Sequence, residues 1–285
     1  MIFVWHALII SILLRFISST MKVIRFIMLA ALSLSLFACQ TNKKKVKTIV
    51  LVQYNVGVFD KYDASSIEAV ASVVRELGAD AVTLNEVDSC TIRTGNVDQM
   101  TTFADAMGTW NQHYAAAMPF NGGAYGVGVA SDPNLEVLRV DKIALPKFDG
   151  YEPRAVAVVE YEDFILCSTH LDHTASSQLG QVGVINHYVD SVYADCAKPI
   201  FLGGDFNCLP DSELISLMKQ TWDLLTPAVN SFPSHAPDRC IDYIFVRPNG
   251  KKIKVESASI PETLQTADLS TASDHLPVVL TVMIE

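Results

Sequence analysis

The chain has 285 residues, 50% of them hydrophobic, and its 31 acidic and 21 basic residues give a formal net charge of −10. Long polyanions are usually held by a basic surface, so this balance excludes an extended basic face for duplex DNA. A small or lipid-like substrate fits the charge better.

The N-terminal segment, residues 1–38, is mostly apolar and contains no Asp or Glu. A basic region beginning at Met21 precedes an apolar run over 27–37, which has the length of an export signal and is short for a membrane span. The following "LFAC" resembles the lipobox of bacterial lipoproteins. We therefore predict that Met21 is the true start and that cleavage exposes Cys39 for lipidation. The alternative is a membrane anchor running through residues 1–38.

A polar, basic tether is predicted for residues 39–47, followed by one folded domain over 48–285. Removal of residues 1–38 takes away three basic residues and no acidic ones, which changes the net charge from −10 to −13. About 240 residues suit a single α/β domain. We expect a monomer that reaches the membrane through the lipid on Cys39 and forms no stable nucleic-acid complex.

The folded part alternates apolar strands with a few amphipathic helices. Several strands are apolar on both alternations, so both of their faces must be covered. Two sheets packed face to face with helices outside satisfy this pattern. The predicted strands are 48–56, 80–87, 125–131, 135–145, 154–161, 164–170, 199–206, 241–246, 252–260 and 276–284, and the predicted helices are 65–80, 176–194 and 211–220, the first with a capping box from Ser65 to Glu68.

Polar side chains recur where these strands end or begin. Carboxylates, amides and two histidines at so many strand ends indicate one convergent site. Oxygen ligands from Glu, Asp and Asn suit a hard divalent cation such as Mg²⁺. A histidine oriented by a carboxylate can deprotonate water. The residues concerned are Asn55, Asn85, Glu86, His170, Asp172, Asp205, Asn207, Asp242, Asp274 and His275.

Seven short motifs resemble, in order, those of the endonuclease/exonuclease/phosphatase superfamily. The resemblance covers 48–285 and is strongest for "GGDFN" together with the downstream "SDHLPV". It implies a four-layer α/β/β/α sandwich and hydrolysis of a phosphoester by water. The motifs are "YN" (54–55), "NE" (85–86), "YGVGVAS" (125–131), "STHLD" (168–172), "GGDFN" (203–207), "IDYIF" (241–245) and "SDHLPV" (273–278).

The resemblance implies a divalent metal, Mg²⁺ with Mn²⁺ as the alternative. Glu86 corresponds to the principal ligand, with Asn55 beside it and Asp274 completing the metal region. The family commonly has Gln before this Glu, whereas this chain has Asn85. The shorter amide is expected to alter the support of Glu86.

The resemblance also implies the catalytic residues. Asp205 and Asn207 would contact the scissile phosphate, and Asp205 would activate or orient the nucleophile. His275 would be the general base or a charge stabiliser, oriented by Asp242. His170 would contact the phosphate or protonate the leaving group.

Three further residues are candidates for substrate binding. Tyr125 is either core packing or a phosphate contact. Arg154 either forms a surface ion pair with Glu152 or holds a phosphate in the site. Asp172 either caps its loop or belongs to the site.

Two features of the "GGDFNC" segment remain open. Gly203 and Gly204 are predicted to clear room for a phosphate. Cys208 and Cys240 lie close in sequence to the predicted site residues Asn207 and Asp242, and an exported chain permits a disulfide, so we leave paired and unpaired states as equal alternatives.

The sequence therefore predicts an exported, lipid-anchored, metal-dependent hydrolase of small or lipid phosphoesters. The first alternative is a secreted or surface nuclease. The second is a catalytically silent binding lipoprotein on the same fold.

Overall fold

A computed structural model of the chain describes residues 47–61 and 67–285. The predicted signal segment, the lipidation site Cys39 and the tether as far as residue 46 lie outside the described residues, as does the capping residue Ser65. Lys47, predicted to be the last tether residue, is instead the first residue of a strand.

Twelve strands are described, and each of the two sheets takes six of them. The strands are β1 (Lys47–Asn55), β2 (Ala81–Ser89), β3 (Asn111–Phe120), β4 (Gly123–Ser131), β5 (Val137–Leu145), β6 (Arg154–Tyr161), β7 (Ile165–His170), β8 (Ile200–Asp205), β9 (Asp223–Leu224), β10 (Asp242–Arg247), β11 (Ile253–Ser259) and β12 (Val278–Ile284). The first sheet has the order β11-β12-β1-β2-β4-β3, and the second has the order β5-β6-β7-β8-β10-β9.

The helices lie outside the two sheets. They are α1 (Ile67–Glu76), α2 (Gln99–Ala106), α3 (Ala175–Val192), α4 (Glu213–Met218) and α5 (Leu269–Ala272). Val70 and Val74 of α1 and Phe103 of α2 belong to the core that also fills the space between the sheets. Val182 and Ile185 of α3 pack on the outer face of the second sheet. The predicted sandwich of two packed mixed sheets with outer helices is confirmed.

Four of the elements given above, the strands β3 and β9 and the helices α2 and α5, were not predicted from the sequence. The β3 sequence, "NQHYAAAMPF", has little alternation and three alanines, which are depleted in strands. Its pairing with β4, from Asn111 opposite Ser131 to Phe120 opposite Gly123, supplies the hydrogen bonds that the local sequence does not predict.

In each sheet the central pair of strands is parallel. β1 pairs with β2, and β7 pairs with β8, so each sheet brings two carboxyl ends to one edge. β10 and β12 run antiparallel to their neighbours β8 and β1, which places their first residues at the same edges. This topology gathers the polar strand ends.

Gly203 and Gly204 serve packing rather than phosphate binding, so that prediction is wrong. A Cβ on Gly203 would lie 2.5 Å from the Thr83 hydroxyl of the other sheet, and a Cβ on Gly204 would lie 2.3 Å from the Thr169 carbonyl oxygen. Both distances are too short for any side chain. The glycines therefore let the neighbouring backbone and the opposite sheet approach closely.

Glu76 at the end of α1 holds the segment 265–267. Its carboxylate accepts hydrogen bonds from the backbone N–H groups of Gln265, Thr266 and Ala267 and from the Thr266 hydroxyl. The Thr266 hydroxyl and then the backbone donors lower the pKa of Glu76 to about 2. The ionised carboxylate is therefore the form that stabilises this contact.

We expect Glu76→Gln to lower the melting temperature at pH 7. Because the folded-state pKa is depressed, the contribution of Glu76 is complete above its usual pKa of 4.5 and is lost as the pH falls towards 2. Melting curves from pH 7 to pH 2.5 should show the difference from the parent shrinking as the pH falls. Glu262→Gln, at an exposed position in the same loop, is the control. A difference that stays constant over the pH range would contradict the prediction.

Candidate active site

The predicted site residues come from both sheets and meet at one edge. In the second sheet, His170 lies opposite Asp205, which lies opposite Asp242, so three neighbouring strands place these side chains in one row. In the first sheet, Asn55 at the end of β1 lies opposite Asn85, where the pairing of β1 with β2 ends. Hydrogen bonds between side chains then join the two sheets.

Asp205 is the centre of the arrangement and is 2% exposed. Its Oδ2 lies 3.7 Å from His170 Nε2 and 3.8 Å from His275 Nε2, and it accepts a hydrogen bond from Asn55 Nδ2 at 3.1 Å. Its Oδ1 accepts from the backbone N–H of Asn207 at 2.8 Å. Burial, followed by repulsion from Asp242, raises the pKa of Asp205 to about 7.

His275 is oriented by Asp242, as the motif resemblance implied. Its Nδ1 lies 2.9 Å from Asp242 Oδ2, which also accepts a hydrogen bond from the Ser231 hydroxyl at 2.6 Å. The ring packs on Phe232 with a centroid distance of 4.6 Å. Burial alone would lower the pKa of His275, but the carboxylates of Asp242, Asp205 and Asp274 together outweigh burial and raise it to about 9. The ring is therefore held with Nε2 towards Asp205.

Asp205, Asp242 and His275 could in principle share a metal ion, since their ligand atoms lie within 4.8 Å of one another. However, His275 Nδ1 is committed to Asp242 and only Nε2 faces Asp205. The roles of these three residues in proton transfer and charge stabilisation therefore stay predictions.

His170 has the opposite electrostatic setting. Arg154 Nη1 lies 3.1 Å from its Nδ1, and because a guanidinium only donates, Nδ1 must accept. Burial, followed by repulsion from Arg154, holds the pKa of His170 well below its usual value. The ring is neutral, and its Nε2 lies 2.9 Å from Asn207 Nδ2 and 3.7 Å from Asp205 Oδ2.

Arg154 lies at the site, next to His170, and it also forms the ion pair with Glu152, with its guanidinium buried. It is 3% exposed, and its Nη2 lies 3.0 Å from Glu152 Oε1. The Tyr125 hydroxyl is also a hydrogen-bond neighbour of Arg154, and burial, followed by Glu86, raises the pKa of Tyr125. Both residues therefore lie at the site, where their contact with a substrate phosphate stays a prediction.

Glu86 reaches the site through a β-bulge. The register between β2 and β4 shifts between Leu84 and Val87, and Glu86 has a φ of +55°. A non-glycine residue in this region costs roughly 1–3 kcal/mol and is found mainly at functional positions. The bulge turns the Glu86 side chain to Asn55, whose Nδ2 lies 3.2 Å from Glu86 Oε1.

The metal region fits a hard divalent cation. Glu86 and Asp274 are the two carboxylates predicted to bind the metal. Glu86 is joined to Asp205 through Asn55, and Asp274 Oδ1 is buried with no hydrogen-bond partner among the described residues. Asp274 Oδ2 lies 3.1 Å from Lys61 Nζ. A buried unpaired carboxylate oxygen is costly unless a cation or donor binds it. The donor set therefore suits Mg²⁺ or Mn²⁺.

Asn55 links the two halves of the site. Its Nδ2 donates to both Glu86 and Asp205, and its Oδ1 accepts from the backbone N–H of Gly57 at 3.1 Å. In this arrangement it positions the two carboxylates, and a direct metal contact by Asn55 stays a prediction.

Asp172 organises a loop. It is fully buried, and its carboxylate accepts backbone N–H groups of Thr174 at 2.8 Å, Tyr151 at 2.9 Å and Glu152 at 3.2 Å. Burial alone would raise the pKa of Asp172, but these donors outweigh burial, and the pKa lies below its usual value. These contacts favour the loop-capping alternative over substrate binding.

Cys208 and Cys240 are both buried and free, so the paired alternative is not formed. The Tyr243 hydroxyl instead lies within hydrogen-bond distance of both backbone carbonyls, 2.9 Å from Cys208 O and 2.7 Å from Cys240 O. This hydroxyl joins the two segments without a covalent link.

Sequence patterns missed Gln53 and Ser231, two of the polar residues that support the site from behind. Gln53 and Asn85 are completely buried. Gln53 Nε2 donates to Asn85 Oδ1 at 2.6 Å and to Asp242 Oδ1 at 3.2 Å, and its Oε1 accepts from the Thr83 hydroxyl at 2.6 Å. The only signal for Gln53 was a polar residue within the apolar run "TIVLVQYNV". Ser231 had no signal.

Comparison with known proteins identifies a matching sequence family and solved structures of similar fold. A sequence model of the Endonuclease/Exonuclease/phosphatase family matches residues 52–275. No curated protein sequence matches the chain significantly.

Three solved structures illustrate the fold similarity. The endonuclease/exonuclease/phosphatase from Bacteroides vulgatus is 17% identical with a TM-score of 0.69, covering 84% of this chain and 100% of that one. The Bacteroides thetaiotaomicron mannosyl-6-phosphatase is 15% identical with a TM-score of 0.66, covering 82% of this chain and 99% of that one. The 2′,3′-cyclic phosphatase ANGEL2 is 15% identical with a TM-score of 0.62, covering 84% of this chain and 95% of that one. At these identities the similarity shows a shared fold.

We expect Gln53→Met to destabilise the protein by about 1–3 kcal/mol, because it leaves Thr83, Asn85 and Asp242 with unsatisfied buried polar atoms. Denaturant unfolding measures this change. Gln112→Met, at an exposed position of β3, is the matched control and should change stability by less than about 0.5 kcal/mol. Equal effects of the two substitutions would show that the buried network contributes nothing.

Proposed function

This chain belongs to the endonuclease/exonuclease/phosphatase family, and we propose that it is a Mg²⁺-dependent hydrolase of small or lipid phosphoesters. One observation carries the proposal. The Nε2 atoms of His170 and His275 approach the same oxygen of Asp205 from two sides, at 3.7 Å and 3.8 Å, and Asn55 links that oxygen to Glu86.

The residues divide the chemistry according to their hydrogen bonds. Asp242 fixes the Nδ1 proton of His275, so Nε2 is the atom that exchanges a proton in the site. Asp205 orients the attacking water. His170 and the Asn207 amide, which lie next to each other beside Asp205, contact the phosphate as charge develops.

Glu86 and Asp274 would hold the metal ion, with Asn55 beside them. When bound, Mg²⁺ neutralises a phosphate oxygen and the charge that develops on the leaving group. The buried unpaired oxygen of Asp274 supports this assignment.

The substrate class follows from charge. The net charge is −10 for the full chain and −13 without residues 1–38, and a protein so acidic attracts a long polyanion poorly, whereas one phosphate needs only the local site. Two proteins of the same fold are a mannosyl-6-phosphatase and a 2′,3′-cyclic phosphatase, which is consistent with small phosphoesters. A nuclease is the competing function.

We also propose that the protein is exported and anchored to a membrane by lipid on Cys39. The basic and apolar segments before Cys39 and the lipobox-like "LFAC" support this location. Among residues 47–61 and 67–285, none of the helices is both long and apolar enough to cross a bilayer.

We expect Glu86→Gln to reduce hydrolysis of p-nitrophenyl phosphate or bis-p-nitrophenyl phosphate by more than the roughly 10–100-fold typical of an outer-sphere substitution. EDTA should abolish the parent's activity, and added Mg²⁺ should restore it. Glu136→Gln, at an exposed loop position, is the control.

Nicking of supercoiled plasmid, run in parallel, separates the competing functions. Plasmid nicking without turnover of the small esters would favour the nuclease. Absence of all three activities together with no Mg²⁺ binding would favour a silent binding protein.

We expect Cys39→Ser to move the protein from the membrane fraction to the soluble fraction of bacterial cells, because the thiol is the site of lipid attachment. Cys90→Ser, which removes an exposed thiol in the folded domain, is the control. Fractionation followed by immunoblotting measures the distribution. Membrane retention of Cys39→Ser would contradict lipid anchoring.

A further inference from the structure

Arg93 is held rigidly by a buried carboxylate two residues beyond Glu86. Asp88 is completely buried and accepts hydrogen bonds from Arg93 Nε at 2.6 Å, Arg93 Nη2 at 2.8 Å and the Thr91 hydroxyl at 2.6 Å. A two-point pair with a buried carboxylate fixes the plane of the guanidinium. The chain thus uses a buried charge to immobilise one arginine.

The same arginine remains partly exposed and lies beside the site. Its side chain is 38% exposed, and its guanidinium lies 4.4 Å from the ring centre of Phe120 and 5.5 Å from that of Tyr125. Its backbone N–H donates to the Asn121 side-chain oxygen at 2.8 Å, which docks the loop on the β3–β4 hairpin. Asp88 raises the pKa of Arg93, and Tyr125 and Glu86 add to this, as expected for neighbours.

One nitrogen of this guanidinium is available. Nε and Nη2 are both used by Asp88, and Nη1 meets no hydrogen-bond acceptor within 47–61 and 67–285. Because Asp88 offsets the charge, Arg93 presents a fixed donor of little net charge. Such a donor suits a neutral oxygen, for example a hydroxyl, better than a second phosphate.

Arg93 also forms one wall of a cavity of about 330 Å³. Phe59 and Asp60 line another wall, and they closely follow Asn55 in the chain. Gln99 links the walls, since its Nε2 donates to the Val58 carbonyl oxygen and its Oε1 accepts from the Asp88 N–H. The cavity is therefore lined by segments that follow Asn55 and Glu86 in the chain, and its Arg93 lies beside Tyr125 of the site.

The lining indicates what the cavity would hold. Its polar groups are the Arg93 donor, the Asp60 carboxylate and the hydroxyls of Thr94 and Thr102, and Val97 adds an apolar surface. Phe59 is 1% exposed, so its ring offers little face for stacking a nucleobase. The volume lies near the lower end of small-molecule sites, about 300–1,000 Å³. A single hydroxyl-bearing ring fits this set.

We propose that the cavity beside Arg93 binds the organic part of the substrate and that this part is a sugar-like ring carrying hydroxyl groups. The proposal rests on the phosphoester hydrolase function and adds the substrate class. Arg93 donates to a ring hydroxyl, Asp60 accepts from another, and the apolar wall covers the ring's C–H face.

The experiment compares kcat/KM for glucose 6-phosphate with kcat/KM for methyl phosphate, which shares the ester but lacks the ring. We expect Arg93→Lys, which keeps the charge beside Asp88, to lower the ratio of the two values by roughly tenfold or more. Val97→Phe, which leaves the Arg93–Asp88 pair in place and fills the cavity, should lower the same ratio. Arg139→Met, which removes an exposed arginine paired with Asp141 on β5, is the matched control.

Three outcomes would overturn the proposal. The first is an unchanged ratio in both variants. The second is an equal loss on both substrates. The third is a parent enzyme that prefers adenosine 5′-monophosphate to glucose 6-phosphate with the same sensitivity to Arg93→Lys and Val97→Phe, because the cavity would then take a nucleoside.

Calorimetric titration of glucose 6-phosphate into the parent and the Arg93→Lys protein distinguishes failure of the hydrolase function from failure of the ring site. Binding that weakens about tenfold in Arg93→Lys, without turnover of either ester, would keep the ring site and reject the hydrolase. No binding and no turnover would reject both.

Discussion

The side-chain amide of Asn85 is the contact on which the site depends, because it fixes the two sheets relative to each other. Its Oδ1 accepts the backbone N–H of Asp205 at 2.9 Å and Gln53 Nε2 at 2.6 Å, while its Nδ2 donates to the Thr169 carbonyl oxygen at 2.7 Å. The bonds to Thr169 and Asp205 run from the middle of β2 to the ends of β7 and β8. Glu86, the next residue, is thereby set in register with His170 and Asp205.

The electrostatics of the site follow from that register. Asp205 and Asp242 are buried close together, which would be unfavourable for two carboxylates without a positive partner. His275 lies between them and is stabilised in its charged form, whereas His170, beside Arg154, is kept neutral. Two histidines of identical chemistry thus differ because one faces a carboxylate and the other a guanidinium.

Buried carboxylates also hold the loops around the site. Asp172 and Asp88 are both completely buried. Each forms hydrogen bonds to a loop beside the site, and neither is assigned a contact with the phosphate. Asp172 holds the backbone at residues 151 and 152, and Asp88 holds Arg93. Rigid loops around a fixed reaction centre are how one fold accepts different substrates.

The sequence determined the fold class and most of the site, because apolar strands that end in Asn, Glu, His and Asp are visible in the chain and parallel strands bring such ends together. It did not determine β3, whose alanine-rich segment becomes a strand only through pairing with β4. It also did not separate Asp172 from Asp205, since both follow a strand and differ only in the partners that folding brings to them.

Tertiary structure alone decided the remaining features. The pairing of Gln53 with Asp242 spans 189 positions of the chain, and no local pattern encodes it. The same holds for Gly203, whose missing side chain makes room for Thr83 of the opposite sheet. Local sequence sets the conformation of neighbouring residues, whereas contacts between sheets depend on how the whole chain packs.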